Sequence, residues 1–347
     1  MEKIDYLIIG QGIAGTTLSY NILQRGKTCH VASDDNSISS SYISAGVINP
    51  VTGRRIVKSW MIDELMTTAR LTYGGIGELL GENFITSREI TKLLSDVEEE
   101  NLWLSKMDDL PEYLGYENDS ERYRKHFNDY RSVGKIKNAM VVNIKQLLKS
   151  WEKFLTNKQL LIKARISPEE MFVENEGVRY RDVNYSKLIF ADGHNGLSTR
   201  FFDFLPYKNA KGEVLHIRSK EYSLNEMIKG TSGIIPEGDT FWIGSSYEWD
   251  SKSELPSKAN YNRILKRFDQ MSKFEYEIIS HSAGMRACSV DRRPYIGRHP
   301  EIDAFWIMNG LGTKGMSLAP YFSLHLLNHI EENKPLIKTV DIKRMLT

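Results

Sequence analysis

The fold of this 347-residue chain is decided by the stretch Ile4-Asp5-Tyr6-Leu7-Ile8-Ile9-Gly10-Gln11-Gly12-Ile13-Ala14-Gly15. A short apolar run leads into Gly-x-Gly-x-x-Gly, and a helix-like segment then extends to about Arg25. The glycines permit a tight turn, a close approach of the backbone to phosphate, and close packing of the helix on the strand. Free N–H groups at the helix start favour an anion. The pattern predicts a site for NAD, NADP or FAD at Gly10, Gly12, Ile13, Ala14 and Gly15.

The bulk properties of the chain limit its class. A length of 347 residues suits two domains or one large one, and a net charge of +1 supplies no overall field for nucleic acid or an anionic membrane. Two cysteines, Cys29 and Cys288, lie far apart, which fits a reducing compartment and predicts no metal site. The first residues lack a signal sequence, and no apolar run reaches membrane-spanning length. We therefore expect a cytoplasmic protein with no membrane partner and little support for a nucleic-acid partner.

The segment from Thr28 to Ala32 predicts the second strand of a βαβ unit. In such a unit an acidic residue at the end of this strand binds the ribose hydroxyls. The expected position falls on Ser33, and Asp34 follows it directly. Because a carboxylate accepts two hydroxyl protons and a serine replaces it only in part, Asp34 is the favoured ribose ligand, with a solvated turn as the alternative.

Small and polar residues at 37–50 predict a loop that can pack closely against a bulky, flat ligand. Two helices are predicted after it, at 54–80 from an apolar stripe at helical spacing and at 91–107. Three basic residues near the start of the first helix favour a solvated face, with attraction of an anionic substrate as the alternative: Arg54, Arg55 and Lys58.

A buried strand at 187–191 ends in Asp192-Gly193 and returns the chain to the nucleotide-binding sheet. Ligands of open α/β sheets bind at the carboxyl ends of the strands, so this end is predicted to face the dinucleotide. The segment 213–282 indicates instead an antiparallel sheet with a helix at 257–271. The predicted fold class is therefore α/β. A Rossmann-like domain (1–80, 140–210 and 284–347) is interleaved with an antiparallel-sheet α+β domain (81–139 and 211–283).

A second glycine-rich loop lies near the C-terminus. Residues 304–308 predict a strand, 309–316 a loop, and 317–330 a helix. This loop lacks the Gly-x-Gly-x-x-Gly spacing, yet N–H groups at a helix start stabilise negative charge. Two such sites suit a long ligand with two anionic ends, such as a pyrophosphate and a reduced flavin ring.

With these motifs in this order, the chain resembles the FAD-dependent D-amino acid oxidase superfamily, most closely its glycine oxidase and sarcosine oxidase branch. The resemblance runs from end to end and rests on Gly10–Gly15, Ser40-Ser41…Ala45-Gly46, Ala191-Asp192-Gly193, Gly284-Met285-Arg286…Asp291…Pro294-Tyr295-Ile296-Gly297, and Asn309–Gly315 through Ala319-Pro320. It implies bound FAD. The cofactor contacts that it implies outside the first glycine loop are Ser40, Ser41, Ala45 and Gly46 at the ribityl chain and flavin, Ile166 at adenine, Ala191, Asp192 and Gly193 along the same arm, and Gly310, Gly312, Thr313, Lys314, Gly315 and Met316 at the pyrimidine end of the flavin.

The resemblance also implies two catalytic residues. Arg286 occupies the position of an arginine that clamps a substrate carboxylate, and such a fork would orient the α-carbon under flavin N5. A structural ion pair, such as one between Arg286 and Asp291, is the alternative. The helix that starts near Lys314 would favour the negative charge of a reduced flavin.

The sequence departs from the family pattern at several positions. Thr231 and Gly233 fall where relatives carry larger polar pocket residues, and Thr313 stands where an arginine can sit, so the resemblance does not transfer glycine or sarcosine as the substrate. Cys288 is displaced from the cysteine that tethers FAD in sarcosine oxidases, which predicts non-covalent FAD.

The predicted reaction is oxidation of a C–N bond of a small amino acid or secondary amine, with hydride transfer to flavin N5. Three alternatives stay open: oxidation of a modified tRNA wobble uridine, 2-hydroxy-acid dehydrogenation on the same scaffold, and a flavoprotein without turnover. The net charge of +1 gives the first little support. The residues do not name an obligatory general base, which this chemistry does not need when the amine binds deprotonated.

Overall fold

The structure is a computed structural model that describes residues 2–34, 39–117, 121–128, 130–174, 177–194, 196, 198–222, 224–249 and 251–346. The first half of the described chain forms, in order, β1 (Glu2–Ile9), α1 (Ile13–Gln24), β2 (Cys29–Ser33), α2 (Ser40–Ile43), β3 (Val47–Ile48), β4 (Val51–Thr52), β5 (Val57–Lys58), α3 (Ile62–Leu80), β6 (Ile85–Ser87), β7 (Ile90–Leu94), α4 (Val97–Asp109), β8 (Leu114–Glu117), α5 (Glu121–Arg124), β9 (Ser132–Ile136), β10 (Met140–Val142) and α6 (Ile144–Asn157). The second half continues with β11 (Leu161–Lys163), β12 (Met171–Glu174), β13 (Gly177–Tyr180), β14 (Val183–Phe190), α7 (Ser198–Phe201), β15 (Ala210–Arg218), β16 (Met227–Lys229), β17 (Gly233–Glu237), β18 (Thr240–Gly244), β19 (Glu248–Trp249), α8 (Lys258–Met271), β20 (Glu277–Arg286), β21 (Tyr295–Arg298), β22 (Phe305–Asn309) and α9 (Gly315–Glu332).

The first glycine loop lies at the carboxyl edge of an eight-stranded sheet. The strand order is β11-β2-β1-β14-β13-β12, with β22 joined to β14 and to β21. β1 runs parallel to β14, with Leu7 beside Leu188, and parallel to β2 on its other side. β22 is also parallel to β14. The loops that follow these four strands therefore meet at one edge of the sheet, where open α/β sheets bind ligands.

Strand β1 reads as an almost continuous apolar run because both of its faces are buried. Tyr6 and Ile8 belong to the core that α1 and α9 cover, whereas Leu7 and Ile9 belong to a second core on the opposite face. Helix α1 ends where Gly26 adopts a φ of +69°, a left-handed conformation that suits glycine after a helix C-terminus.

A nine-stranded, mostly antiparallel sheet forms the other layer. Its order is β19-β15-β18-β17-β16-β7-β9-β8, with β20 also paired to β15. Helix α8 begins after Ser257, whose side chain accepts a hydrogen bond from the Asn260 N–H, and it packs Ile264 and Phe268 into this layer's core. The structure thus contains the mainly parallel sheet and the mainly antiparallel sheet that the sequence predicts.

A third, small sheet has the strand order β3-β10-β6. β10 pairs with β3 on one side and with β6 on the other. The β10–β6 pair joins residues that the sequence places in different domains, and the domain bounds stay a prediction.

Two predicted helices are wrong in part. Residues 90–94 form β7, which is paired on both sides, and α4 begins only at Val97, after Asp96 accepts a hydrogen bond from the Glu99 N–H. The predicted helix from residue 54 begins instead as a β4–β5 hairpin, and α3 starts at Ile62. Gly53, at a φ of +81°, supplies the turn that interrupts the helical pattern.

Smaller departures concern the ends of elements. The predicted loop at 37–50 contains the short helix α2. The sequence also predicts a strand at 160–166, of which β11 covers only Leu161–Lys163. It further predicts a hairpin of 171–174 with 177–181 around Asn175-Glu176; β12 and β13 are paired in this way, and the turn residues lie outside the described residues. Within the described ranges, the helices are too short or too polar to cross a membrane.

Candidate active site

A large cleft of about 1240 Å³ opens along the carboxyl edge of the parallel sheet. The loops after β1, β2, β14 and β22 line it, together with α2 and one face of the antiparallel sheet. Small-molecule pockets are commonly about 300–1,000 Å³, so this cleft suits a ligand as long as a dinucleotide.

The structure brings most of the residues predicted from the sequence into this cleft. Those that line it are Gly10, Gly12, Ile13, Ala14, Ser33, Asp34, Ser40, Ser41, Ala45, Gly46, Ile166, Ala191, Asp192, Gly193, Arg286, Gly312, Thr313, Gly315 and Met316. Gly15, Gly310 and Lys314 are not part of the lining. Any effect of these three residues on the cofactor would therefore be indirect, through their packing against residues that line the cleft.

The first glycine loop is compressed against its surroundings. Gly10 has a φ of +105°, and a Cβ atom there would lie 2.6 Å from the carbonyl oxygen of Ala191. A Cβ at Gly15 would lie 1.8 Å from the carbonyl oxygen of Gly10. Gly15 therefore works behind the loop by letting α1 approach β1, while Gly10 and Gly12 form the surface that a ligand meets.

Helix α2 closes the glycine loop from the other side. The Ile13 N–H at the start of α1 donates to Ser41 Oγ at 3.2 Å, and the Ser41 N–H donates to Ser39 Oγ at 3.2 Å. A Cβ at Gly12 would come within 3.2 Å of Ser39 Oγ, so the two segments leave a narrow space at this glycine. The serine-rich stretch thus fixes the position of the helix start that faces the cleft.

The conformation of Gly46 places the segment after α2 against the next element. Its φ is +70°, and a Cβ would lie 1.9 Å from the carbonyl oxygen of Val142. The N–H of Val142 in turn donates to the Gly46 carbonyl at 2.9 Å. Ala45 and Gly46 therefore line the cleft through backbone that is held by β10.

The Asp192 carboxylate forms hydrogen bonds with neighbouring residues of the protein. It accepts hydrogen bonds from the Ser198 N–H at 2.8 Å, from Ser198 Oγ at 2.6 Å and from Asn309 Nδ2 at 3.1 Å. Burial raises the pKa of Asp192 to about 6, against the hydrogen bonds from Ser198, which lower it. Asp192 thereby ties the end of β14 to the end of β22, and both strand ends line the cleft.

The second glycine loop starts α9 beside the start of α1, where a Cβ at Gly315 would lie 3.3 Å from the Ile13 side chain. Gly312–Lys314 form a single 3-10 turn, and α9 begins at Gly315. The Lys314 side chain turns to Ser59, with Nζ 3.3 Å from Ser59 Oγ. Burial and the positive charge of Arg293 lower the pKa of Lys314. At the start of α9 the cleft is lined by Gly312, Thr313, Gly315 and Met316.

Arg286 lines the cleft, and only part of the hydrogen-bonding capacity of its guanidinium is used. It ends β20, and its Nη2 donates to Ser245 Oγ at 3.2 Å. The ring of Tyr247 lies 5.3 Å from the guanidinium carbon. Nη1 is buried and has no hydrogen-bond partner among the described residues, and burial lowers the pKa of Arg286. The alternative pair with Asp291 does not form, because Asp291 binds Arg344 at 2.8 Å.

A buried ionic network supports Arg286 from the opposite face of β15. Lys211 and Glu213, on either side of Gly212, form an ion pair at 2.9 Å although both side chains are almost completely buried. His281 lies 2.8 Å from the other carboxylate oxygen of Glu213. Burial alone would raise the pKa of Glu213, but hydrogen bonds from Ser257, Asn260 and Lys211 lower it to about 2. The network fixes the strand on which the Arg286 side chain rests.

Sequence reasoning did not identify several residues that line the cleft. Trp242, Ser245 and Tyr247 come from β18 and the segment after it, and the Trp242 Nε1–H donates to the Ile43 carbonyl at 3.0 Å. Thr231 and Gly233, the positions expected at the pocket, are not part of the lining, and Thr231 donates to the Arg267 carbonyl instead. No short motif marks this segment; the pairing of β18 with β15 brings it beside Arg286.

Cys288 follows Arg286 closely in the sequence, but unlike Arg286 it does not line the cleft. Its side chain is buried, and a Cβ at Gly312 would lie 3.4 Å from its sulfur. Burial raises the pKa of the Cys288 thiol, which reduces the thiolate available for a covalent bond.

The glycine loop after β1, the long cleft at the carboxyl edge of the parallel sheet and the adjacent start of α9 are typical of a dinucleotide-binding protein. Residues 5–327 match the DAO family, FAD dependent oxidoreductase. The chain therefore belongs to this family and is an FAD-dependent oxidoreductase. The family resemblance and the cofactor predicted from the sequence are both confirmed.

Solved structures share this fold over nearly the whole chain. Glycine oxidase from Bacillus cereus ATCC 14579 matches with a TM-score of 0.76 at 21% identity, over 96% of this chain and 96% of that chain. Iminodiacetate oxidase from Chelativorans sp. BNC1 matches with a TM-score of 0.76 at 18% identity, over 98% of both chains. L-Proline dehydrogenase from P. horikoshii matches with a TM-score of 0.74 at 15% identity, over 97% of this chain and 96% of that chain. These likenesses confirm the predicted fold class.

Proposed function

We propose that this enzyme oxidises a C–N bond of a small amino acid or secondary amine that carries a carboxylate, by hydride transfer to flavin N5. The observation that carries the proposal is the buried Nη1 of Arg286, which lacks a partner among the described residues and belongs to a side chain that lines the cleft. A buried donor without a partner costs about 1–3 kcal/mol, and more when it is charged, so a bound carboxylate would relieve that cost. Glycine oxidase, iminodiacetate oxidase and L-proline dehydrogenase among the structural neighbours support the amine class by their names.

The proposed placement of FAD follows the starts of α1 and α9, which lie side by side and both line the cleft. The start of α1, with Gly10, Gly12, Ile13 and Ala14, would bind the pyrophosphate. The start of α9, with Gly312, Thr313, Gly315 and Met316, would hold the pyrimidine end of the isoalloxazine. When bound, FAD supplies the two-electron acceptor for the reaction.

The residues around Arg286 would orient the substrate. A carboxylate paired with the guanidinium would be held in a fixed plane, because this fork allows two parallel hydrogen bonds. Ser245 restrains Nη2, which leaves Nη1 free for the substrate. Burial raises the pKa of Tyr247, so its hydroxyl stays neutral and keeps a proton at neutral pH. An amine that binds in its neutral form would lose a hydride from the α-carbon to the bound FAD and leave as an iminium ion, which water hydrolyses.

Anaerobic mixing of the FAD-loaded protein with a panel of amino acids, secondary amines and 2-hydroxy acids tests the proposal. Bleaching of the flavin by amines that carry a carboxylate supports it, and bleaching by 2-hydroxy acids alone contradicts it. A flavin that no member of the panel bleaches supports a flavoprotein without turnover. Hydrogen peroxide released on re-aeration then distinguishes an oxidase from a dehydrogenase.

A further inference from the structure

A row of paired residues crosses three strands beside the proposed substrate position. Ala210 of β15 pairs with Arg286 of β20 on one side and with Trp249 of β19 on the other. Directly paired residues point to the same face of a sheet, so Arg286 and Trp249 share a face with the small side chain of Ala210 between them. Two strand spacings, about 10 Å, separate their backbones.

Tyr247 makes this row a continuous aromatic surface. Its ring lies 5.3 Å from the guanidinium carbon of Arg286 and 4.8 Å from the ring of Trp249, at an angle of 74°. Tyr247 also lines the cleft. An aromatic surface therefore runs from the buried Arg286 outward to Trp249.

Both rings remain accessible, although Tyr247 lines the cleft and Trp249, which contacts Tyr247, lies beyond the cleft lining. Tyr247 is 43% exposed and Trp249 is 37% exposed. By contrast, Trp242, which also lines the cleft, is only 8% exposed. Large aromatic side chains left accessible at the mouth of a binding cleft are typical of a surface that a ligand covers.

We infer that the substrate carries an aromatic ring, which Tyr247 and Trp249 bind while Arg286 binds the carboxylate. The class is an aromatic amino acid or an amine acid with an aromatic N-substituent, rather than glycine or sarcosine. The inference rests on the proposed function, because it takes Arg286 as the carboxylate site. Trp249 is the specificity-determining residue, since its ring extends the aromatic surface beyond Tyr247, which contacts Arg286.

Two carboxylates that cannot be oxidised as amines test this inference without turnover. Acetate and phenylacetate share the carboxylate and differ by the ring, and their dissociation constants are measured from the change of the flavin spectrum in the FAD-loaded protein. Ring–ring contact of about 0.5–1.5 kcal/mol predicts that phenylacetate binds roughly 2- to 12-fold more tightly than acetate. Trp249→Ala should remove most of this difference, and Trp249→Phe should keep most of it.

Phe172→Ala is the matched control. Like Trp249, Phe172 is an exposed aromatic residue, and the guanidinium of Arg179 lies 4.4 Å from its ring. Phe172 lies on β12 in the other sheet. It should leave both dissociation constants unchanged. Equal affinity for the two carboxylates in the unmodified protein, or a preference for phenylacetate that survives Trp249→Ala, overturns the inference. Failure of the proposed function gives a different result, because acetate binding would then be insensitive to Arg286→Ala.

Discussion

The guanidinium of Arg286 lies directly over the backbone of Gly212 on the neighbouring strand, where a Cβ atom would come within 2.0 Å of Nη2. Gly212 is paired with Gly284, two residues before Arg286 on β20. The position of the arginine therefore depends on a glycine that belongs to none of the motifs in the sequence. Its φ does not require glycine, so the space for the arginine is the physical reason for the residue type.

Gly212→Ala should displace Arg286 while the fold and the FAD site persist. The loss of about 1.5–3 kcal/mol from a charge-assisted hydrogen bond predicts that the dissociation constant of acetate rises by roughly 10- to 150-fold. The flavin spectrum reports acetate binding, and the absorbance ratio of flavin to protein reports FAD content. Gly74→Ala is the control, because nothing lies within 4 Å of a Cβ there. Unchanged acetate affinity in Gly212→Ala would show that the arginine does not depend on this contact.

Glu213→Gln should destabilise the protein by about 3 kcal/mol, because it leaves Lys211 buried without its carboxylate. The pKa of Glu213 is lowered in the fold to about 2 from an ordinary 4.5. Its contribution to stability is therefore complete above pH 4.5 and is lost as the pH falls towards 2. Thermal unfolding from pH 7 to pH 3 should show a steeper loss of Tm for the unmodified protein than for Glu213→Gln.

The control for this comparison is Glu174→Gln, which removes an exposed ion pair with Arg179. Exposed pairs contribute about 0–1 kcal/mol, so its Tm should follow that of the unmodified protein. Parallel pH profiles for Glu213→Gln and the unmodified protein would mean that the carboxylate does not stabilise the fold as a charge.

Ser41→Ala should weaken FAD binding without unfolding the protein. Ser41 lines the cleft beside the start of α1, and the family resemblance implies that it contacts FAD. Loss of one hydrogen bond to FAD, about 1 kcal/mol, would raise the FAD dissociation constant roughly fivefold. Titration of the apoprotein with FAD measures this change. Ser105→Ala, which removes a hydroxyl on the exposed side of α4, should leave FAD affinity as it is. Equal affinity for both variants would contradict a role of α2 in shaping the FAD site.

Denaturation by acid or heat should release intact FAD into the supernatant. Cys29 and Cys288 are the cysteines of the chain, both are buried, and neither lines the cleft. Absorbance of the supernatant and of the precipitated protein measures the partition of the flavin. Flavin that remains with the precipitate would contradict the non-covalent mode predicted from the displacement of Cys288.

The motifs that carry backbone chemistry were predictable from the sequence, and those that depend on strand pairing were not. Gly10, Gly12 and the loop before α9 act through conformation and N–H groups, so glycine spacing next to a strand and a helix reveals them. Tyr247 and Ser245 have no such signature, because the pairing of β15, β18 and β20 alone brings them to Arg286. Local sequence patterns do not encode these long-range pairs.

The wrong helix at 91–107 has a related cause. Leucines at 93 and 94 fit helical spacing, but pairing of β7 with β9 and β16 outweighs that local preference. The signal for the true helix start was present, since Asp96 caps α4. The hairpin before α3 similarly depends on Gly53 and on pairing of Val51 with Lys58.

The central claim is that Arg286 binds the carboxylate of an amine substrate, and a matched pair of variants tests it most directly. The amine acid that bleaches the flavin best in the panel is mixed anaerobically, over a range of concentrations, with the unmodified protein and with Arg286→Gln. We predict saturation in the unmodified protein and, in the variant, a second-order rate constant lower by at least about 30-fold, from the loss of 2 kcal/mol or more, with FAD still bound. Saturation at the same concentration and the same rate in Arg286→Gln would contradict the account.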